Sequence, residues 1–254
     1  MITLKKEVKW RKDKNNILIC NCKILDDLKI DLKYNDFMKK ISEGLNEDAL
    51  NDLDKKILNE FKIMKLTENI EIRRISKKDF DFAMQILDNE LGEERVRTKE
   101  FLREKFREFP AYFIGAYLGK ELIGVVCGFP REDYLLMSEI AVDCRFQKRH
   151  FGKKLVEAFE KEAFKKYKKI NVGARDNAIG FYLSLKYKPF LLVQFEKGVY
   201  VEKNFPRDKI IAIRDYGIEI KSDDCSIDEI NQLRKKYLKS NIQYIFTKET
   251  SPLS

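Results

Sequence analysis

The residues best suited to chemistry, by type and spacing, lie in the stretch MSEIAVDCRFQKRHFGKKLV at positions 137–156. Residues 140–142 form a short apolar run that predicts a β-strand. Apolar residues at helical spacing from Leu155 onward predict a helix. The basic link at residues 145–152 therefore leads into a helix N-terminus. Such an end carries backbone N–H groups without helical partners and the positive end of the helix dipole, so the pattern favours a bound phosphate.

Two motifs in this region resemble the signatures of the GNAT superfamily of N-acyltransferases. The segment QKRHFG is similar to the pyrophosphate loop of that family, Gln/Arg-x-x-Gly-x-Gly/Ala, with Gln147 and Gly152 at the matching positions. The segment AIGFYLSLKY, residues 178–187, resembles the second signature, Ala-Ile-x-Phe-Tyr-x-x-Leu-Gly-Phe. The order and spacing of the two motifs also agree with the family, and the resemblance extends over residues 70–200.

Two positions depart from the family pattern. His150 stands where the first glycine of the loop usually lies, and Lys186 stands where the second signature usually has glycine. We expect His150 to affect how tightly the loop holds a phosphate, and Lys186 to alter the bend before the following strand.

The resemblance implies acetyl transfer from acetyl-CoA, used as a co-substrate, to an amine. In the family, the strand before the loop separates from its neighbour and receives the pantetheine arm on its backbone, while the loop contributes mainly N–H groups. The implied cofactor-binding residues are Ile140, Ala141, Val142, Gln147, Lys148, Arg149, His150, Phe151, Gly152, Lys153 and Asn177. For Asn177, capping of the following helix is an equal alternative.

Two residues are candidates for catalysis. Tyr182 matches the tyrosine that serves the family as general acid, because a phenol with a pKa of about 10 suits a departing thiolate. The alternative role for Tyr182 is packing against the sheet. Glu139 precedes the apolar run and is a candidate general base, directly or through water. Its alternative is a solvated or ion-paired carboxylate, since many members of the family work without a dedicated base.

Residues 1–66 have a periodicity of their own. The pattern predicts a β-hairpin over residues 8–20, a third strand at residues 28–32 and two helices within residues 37–64. This order resembles the PqqD-like, winged-helix modules that recognise leader peptides, which would be added as a strand at a sheet edge. A packing domain without a ligand is the alternative.

The remaining elements complete an α/β (α+β) chain in three parts. The resemblance implies a central mixed, mostly antiparallel sheet flanked by helices over residues 70–200. Residues 205–254 predict strands and one helix, too little to form an independent core, so we expect a small α/β extension packed on the central domain. Together with the winged-helix-like module at residues 1–66, this is the expected domain organisation.

Composition narrows the class of protein. Among 254 residues, 37% are charged and the net charge is +9, but Glu and Asp interrupt the basic residues, which favours a solvated surface over a polyanion site. The cysteine count is odd, at five, without a Cys-x-x-Cys pair, and the only histidine is His150, so neither a zinc site, a His-based triad nor a disulfide framework is indicated. Without an apolar run of membrane length or a signal-like start, we expect a cytoplasmic protein that uses no metal.

Three functions remain open at this point. The first is an N-acetyltransferase whose acceptor is an amine of a peptide, a protein or a small molecule. The second is a degenerate GNAT-fold adaptor that binds CoA or a peptide without turnover. The third is a nucleic-acid-associated protein, which is disfavoured because the sequence lacks an aromatic–basic stacking platform and an Arg-rich recognition helix. We expect no membrane partner, and a homodimer is an open alternative.

Overall fold

The computed structural model describes residues 1–13, 16–21, 26–63, 67–95, 97–195, 205–237 and 240–250. The chain divides into two compact units. The first comprises Met1–Val126 and Ile140–Phe159, and the second comprises Cys127–Glu139 and Glu160–Ser254. The domain boundaries predicted at residues 66 and 200 lie outside the described residues.

The N-terminal part of the first unit contains the predicted strands and helices. The strands are β1 (Ile2–Leu4), β2 (Val8–Asp13), β3 (Asn16–Asn21) and β4 (Asp26–Asp31), and the helices are α1 (Asn35–Glu43) and α2 (Asp52–Ile63). Strands β2, β3 and β4 form an antiparallel sheet in that order. The helices bury their apolar sides beside it, where Phe37 of α1 meets Phe61 of α2 edge to face with ring centroids 5.7 Å apart. The winged-helix likeness of this part stays a prediction.

Strand β1 does not join that small sheet. It pairs antiparallel with the next strand, β5 (Thr67–Arg74), through Ile2↔Asn69, Thr3↔Glu68 and Leu4↔Thr67. The same short strand also exchanges two backbone hydrogen bonds with Leu45 through Ile2, each 2.9 Å long. Residues 2–4 thus connect the N-terminal core to the strand that opens the acetyltransferase-like region.

The rest of the first unit follows the predicted order. It contains α3 (Phe80–Leu91), α4 (Lys99–Glu108), β6 (Phe113–Leu118) and parts of β7 (Glu121–Pro130), β8 (Leu135–Val142) and α5 (Phe151–Ala163), whose other residues belong to the second unit. Thr98 caps α4 by accepting a hydrogen bond from the Phe101 N–H. Gly119, at a φ of 59°, turns the chain between β6 and β7, as the sequence predicts. The strand order in this unit is β1-β5-β6-β7.

The second unit is built around the strand order β8-β9-β13-β10-β12-β11. Its further elements are β9 (Lys169–Ala174), α6 (Ile179–Ser184), β10 (Lys188–Phe195), β11 (Ile210–Arg214), β12 (Gly217–Lys221), α7 (Ile227–Lys236) and β13 (Ser240–Glu249). Strand β13 lies between β9 and β10 and is antiparallel to both. The C-terminal segment therefore supplies strands to this sheet in addition to packing against it.

The pairing pattern confirms the fold class predicted from the sequence, a mixed and mostly antiparallel sheet flanked by helices. The pairing of β8 with β9 is parallel, whereas β9–β13, β13–β10, β10–β12 and β12–β11 are antiparallel. Among the residues that the structure describes, no helix combines the length and the apolar character that crossing a bilayer requires.

Candidate functional site

Strand β8 enters the candidate site with one buried face and one half-exposed face, because every second residue from Leu135 is buried. Its parallel register with β9 consists of Leu135↔Ile170 and Leu136↔Asn171. Within the described part of the second unit, this register does not continue to residues 137–139. The parallel pairing of the two strands is therefore confined, among these residues, to the first two residues of β8.

The loop after β8 has an unusual backbone. A 3-10 turn, Cys144–Phe146, follows the strand, and α5 begins at Phe151. Between them, Lys148 and His150 have φ values of 59° and 61°, in the left-handed region that suits glycine. His150, at the position of a glycine in the family pattern, therefore adopts a conformation that suits glycine, with the strain that a side chain brings there.

The start of α5 carries N–H groups that have no acceptor within the helix. The bond from the Lys154 N–H to the His150 carbonyl, 3.1 Å long, is the first of the helical i→i−4 pattern. The N–H groups of residues 151–153 come before it, so the helix itself offers them no acceptor. The side chains of Lys148 and Lys153 are exposed beside this helix end. The helix dipole, the N–H groups and the two lysines together favour the binding of an anion.

Glu90 near the end of α3 holds the loop from outside. Its carboxylate accepts a 2.8 Å hydrogen bond from the Cys144 N–H and another of 2.8 Å from the side-chain amide of Gln147. The same amide donates to the carbonyl of Val142 at 2.9 Å. The side-chain amide of Gln147 thus donates its hydrogen bonds to other groups of the protein. The sequence motif gave no sign of Glu90, which lies 57 residues before Gln147.

Asp143 and Arg145 form a charge pair at the start of the loop. Asp143 accepts from the Arg145 N–H at 2.9 Å and from its guanidinium at 2.7 Å, and the guanidinium also reaches Glu121 at 2.7 Å. The hydrogen bonds from the Arg145 side chain lower the pKa of Asp143, and the same bonds raise the pKa of Arg145. The positive charge of Arg145 is therefore compensated inside the turn.

The side chain of Arg149 is also directed into the protein. It forms an ion pair with Glu68 and donates a 2.6 Å hydrogen bond to the Leu4 carbonyl. The charge of Arg149 is therefore compensated inside the protein and does not lie at the exposed side of the loop. The side chains of Lys148, His150 and Lys153 are exposed there.

Tyr182 lies in an aromatic cluster of the second unit. Its ring stacks on Phe246 with centroids 5.4 Å apart, and it meets Phe181 and Tyr187 edge to face at 5.1 and 5.8 Å. The side chain is 3% exposed, and burial raises the pKa of its phenol. Tyr182 therefore keeps its proton at neutral pH.

Glu139 lies on the same face of the sheet as this cluster. Leu136↔Asn171 sets the register of β8 with β9, and Val172↔Phe246 sets that of β9 with β13. Since side chains alternate along strands, Glu139, Val172 and Phe246 share one face. Glu139 is buried there, at 8% exposure, beneath the side that carries Tyr182.

Two residues that the sequence motifs single out, Asn177 and Lys186, lie at the two ends of α6. Asn177 is exposed in the turn Asp176–Ala178, and Ala178 rather than Asn177 occupies the N-cap position. Arg234 holds this turn through two hydrogen bonds to Asp176, at 2.6 and 3.1 Å, a contact that the motif does not reveal.

Lys186 ends α6 with a φ of 63°. The Tyr187 N–H bonds to the Tyr182 carbonyl at 3.1 Å, and the Lys186 N–H bonds to the Leu183 carbonyl at 2.9 Å. These bonds form a Schellman motif with Lys186 at the left-handed position that glycine usually fills. The second departure from the family pattern thus also lies at a position whose conformation suits glycine.

Comparisons with known proteins give similarities for the central part of this chain. The acetyltransferase (GNAT) family matches residues 72–187. A search of curated proteins found no match. Similar solved structures include Ard1 from Thermoplasma volcanium, at 21% identity and a TM-score of 0.44, covering 61% of this chain and 99% of that one. Another is the ribosomal-protein-S18-alanine N-acetyltransferase from Escherichia coli, at 12% identity and a TM-score of 0.45, covering 73% and 99%. A protein from Pyrococcus horikoshii described as an acetyltransferase has 16% identity and a TM-score of 0.42, and the match covers 52% of this chain and 49% of that one.

Proposed function

We propose that this protein, in which residues 72–187 match the acetyltransferase (GNAT) family, transfers an acetyl group from acetyl-CoA to an amine. The observation that carries the proposal is the start of α5, where three N–H groups without helical acceptors lie beside the exposed Lys148 and Lys153. This donor set fits a diphosphate, because backbone N–H groups and the helix dipole act together on one anion.

We assign the diphosphate of acetyl-CoA to the backbone of residues 147–153, with Gly152 allowing close approach. The pantetheine arm would lie along the backbone of Ile140, Ala141 and Val142, and Asn177 is a further candidate contact. Acetyl-CoA supplies the activated acyl group as a thioester. The protein needs to orient that group and to hold donors at the carbonyl oxygen, where negative charge develops.

Two side chains would then move protons. When the amine nitrogen bonds to the carbonyl carbon and the carbon–sulfur bond breaks, Tyr182 would donate its phenolic proton to the departing sulfur. Glu139 would accept the proton that the amine loses, directly or through water. The assignment of Tyr182 rests on its place in the second signature. Burial raises the pKa of its phenol, so the group carries a proton at pH 7.

For the acceptor, we propose an amine of a peptide or protein. The support is the three-stranded sheet of the N-terminal part, in which β2 and β4 stand at the two ends of the strand order. A sheet edge offers unpaired backbone groups that an extended peptide can complete, the mode implied by the PqqD-like resemblance. A small-molecule amine is the alternative acceptor.

The experiment is to incubate the protein with isotope-labelled acetyl-CoA and three acceptor sets: cellular peptides, cellular proteins and a panel of small amines. Mass spectrometry locates the labelled acetyl groups, while thiol release reports turnover. Labelled peptide or protein amines are the expected result. Label on small amines alone overturns the peptide assignment. CoA binding without transfer to any set identifies an adaptor, and failure to bind CoA overturns the whole proposal.

A further inference from the structure

Arg149 occupies the middle of the loop assigned to the diphosphate, yet its guanidinium is turned inward. The Nη2 atom donates to the Leu4 carbonyl at 2.6 Å and to the Glu68 carboxylate. The side chains of Arg149 and Glu68 are only 15% and 14% exposed, and the guanidinium carbon lies 5.0 Å from the centre of the Phe151 ring. A shielded pair of this kind is strongly disturbed when one partner is removed, because the other charge is left uncompensated.

The two partners of Arg149 belong to a single strand pair. Leu4 ends β1, Glu68 lies in β5, and the pairs Thr3↔Glu68 and Leu4↔Thr67 set them side by side. Strand β1 is fixed at its other end by the exchange of hydrogen bonds between Ile2 and Leu45. A continuous set of contacts therefore runs from the N-terminal core through β1 to the loop.

The loop needs such an anchor. The residues on either side of Arg149, Lys148 and His150, are both in the left-handed conformation. Strained backbone of this type persists only where the surroundings over-determine it. The shielded guanidinium contacts Leu4 and Glu68 from the residue between these two.

We propose that Arg149 is a positioning residue, through which β1 and Glu68 hold the loop in the conformation that presents its N–H groups to the diphosphate of CoA. This rests on the proposed function in one respect, that the loop is the diphosphate site. It also changes the expected role of residues 1–66, because removing β1 would release the anchor and weaken CoA binding. By linkage, bound CoA would stabilise the contact between β1 and the loop to the same extent.

The test compares Arg149→Lys and Glu68→Gln with Glu47→Gln as the matched control. Glu47 also pairs with a cation in the first unit, Lys62 at 2.6 Å, but is well exposed. We expect calorimetry to show that Arg149→Lys and Glu68→Gln bind CoA about tenfold more weakly than the parent protein. This loss corresponds to about one loop in ten keeping the conformation that binds CoA. The control will bind CoA like the parent protein. Binding of pantetheine, which has no diphosphate, will be the same in all variants.

A second measurement works without any ligand. His150 is the only histidine in the chain and follows Arg149 directly, so its ring NMR signals report on the loop without further assignment. We expect shifted or broadened signals in Glu68→Gln and Arg149→Lys and unchanged signals in Glu47→Gln, with all spectra recorded well below the melting temperature of each variant. Unaltered His150 signals in both anchor variants overturn the inference. A parent protein that does not bind CoA overturns the proposed function instead, and the histidine signals still decide whether Arg149 positions the loop.

Discussion

Tyr182 of α6 stacks on Phe246 of β13, with ring centroids 5.4 Å apart and ring planes inclined by 28°. Phe246 is paired with Val172 of β9, so the stack holds the phenol over the face of the sheet that also carries Glu139. The position of the candidate acid therefore depends on a strand from the end of the chain. A phenylalanine at position 182 would keep this stack, so the substitution tests the role of the hydroxyl group alone.

The first prediction is that Tyr182→Phe lowers kcat by about 10²-fold, the lower end of the range for general acid–base catalysis. CoA affinity will remain at the parent value, because the ring and its packing are retained. Tyr187→Phe is the control, since it removes a hydroxyl from the same aromatic cluster, and we expect its kcat to stay near that of the parent. Turnover equal to the parent for Tyr182→Phe, measured with chemistry rate-limiting, would leave Tyr182 a packing residue.

The second prediction concerns the start of α5. Gly152→Glu will abolish detectable CoA binding in calorimetry, because the side chain blocks the helix end and its carboxylate repels the phosphates. Leu53→Glu is the control: it adds the same carboxylate at an exposed position of α2 in the same unit. The assignment of the loop is wrong if Gly152→Glu and Leu53→Glu bind CoA equally well.

The third prediction is that His150→Gly raises the free energy of unfolding by about 0.5–1 kcal/mol. A glycine tolerates the φ of 61° without the steric cost of a side chain, although its greater freedom in the unfolded chain offsets part of the gain. Thermal or denaturant unfolding measures the change. His150→Ala is the control, because it removes the imidazole but keeps the Cβ atom, and it should bring no such gain. Equal effects of the two substitutions would assign the change to the lost ring.

The fourth prediction is a pH dependence of stability from Asp143. Hydrogen bonds from Arg145 lower its pKa in the folded protein below the unfolded value of about 3.9. A lowered folded-state pKa means that the unfolded state binds more protons, so this contribution is complete above the unfolded value and is lost as the pH falls through the folded value. The stability difference between the parent and Asp143→Asn should thus be constant from neutral pH down to about pH 5 and shrink below pH 4.

The Arg145→Gln background provides the control for that experiment. Without the guanidinium, the pKa of Asp143 should return towards its ordinary value, and the acid-dependent part of the difference should disappear. A difference that keeps the same pH dependence in both backgrounds would mean that another group is responsible.

Local patterns predicted much of this protein correctly. The strand before the loop, the start of α5, the hairpin at Gly119 and the cap at Thr98 each depend on residues a few positions apart, and each is present. The two departures from the family pattern, His150 and Lys186, both adopt the left-handed conformation that suits glycine. Neighbouring residues set helix periodicity, strand alternation and turns, so these features can be read from a short window of sequence.

The sequence by itself determined the two signatures, the fold class and the residues offered for catalysis. Only the tertiary structure decided that Glu90 holds Gln147, that Arg149 turns inward to a carbonyl 145 residues away, and that β13 lies between β9 and β10 and carries Phe246 beneath Tyr182. Such contacts join residues that are far apart in the sequence, and they produce no periodic pattern in the sequence around either residue. Strand order and the direction of a charged side chain depend on which surfaces meet when the chain packs, and that is a property of the whole fold.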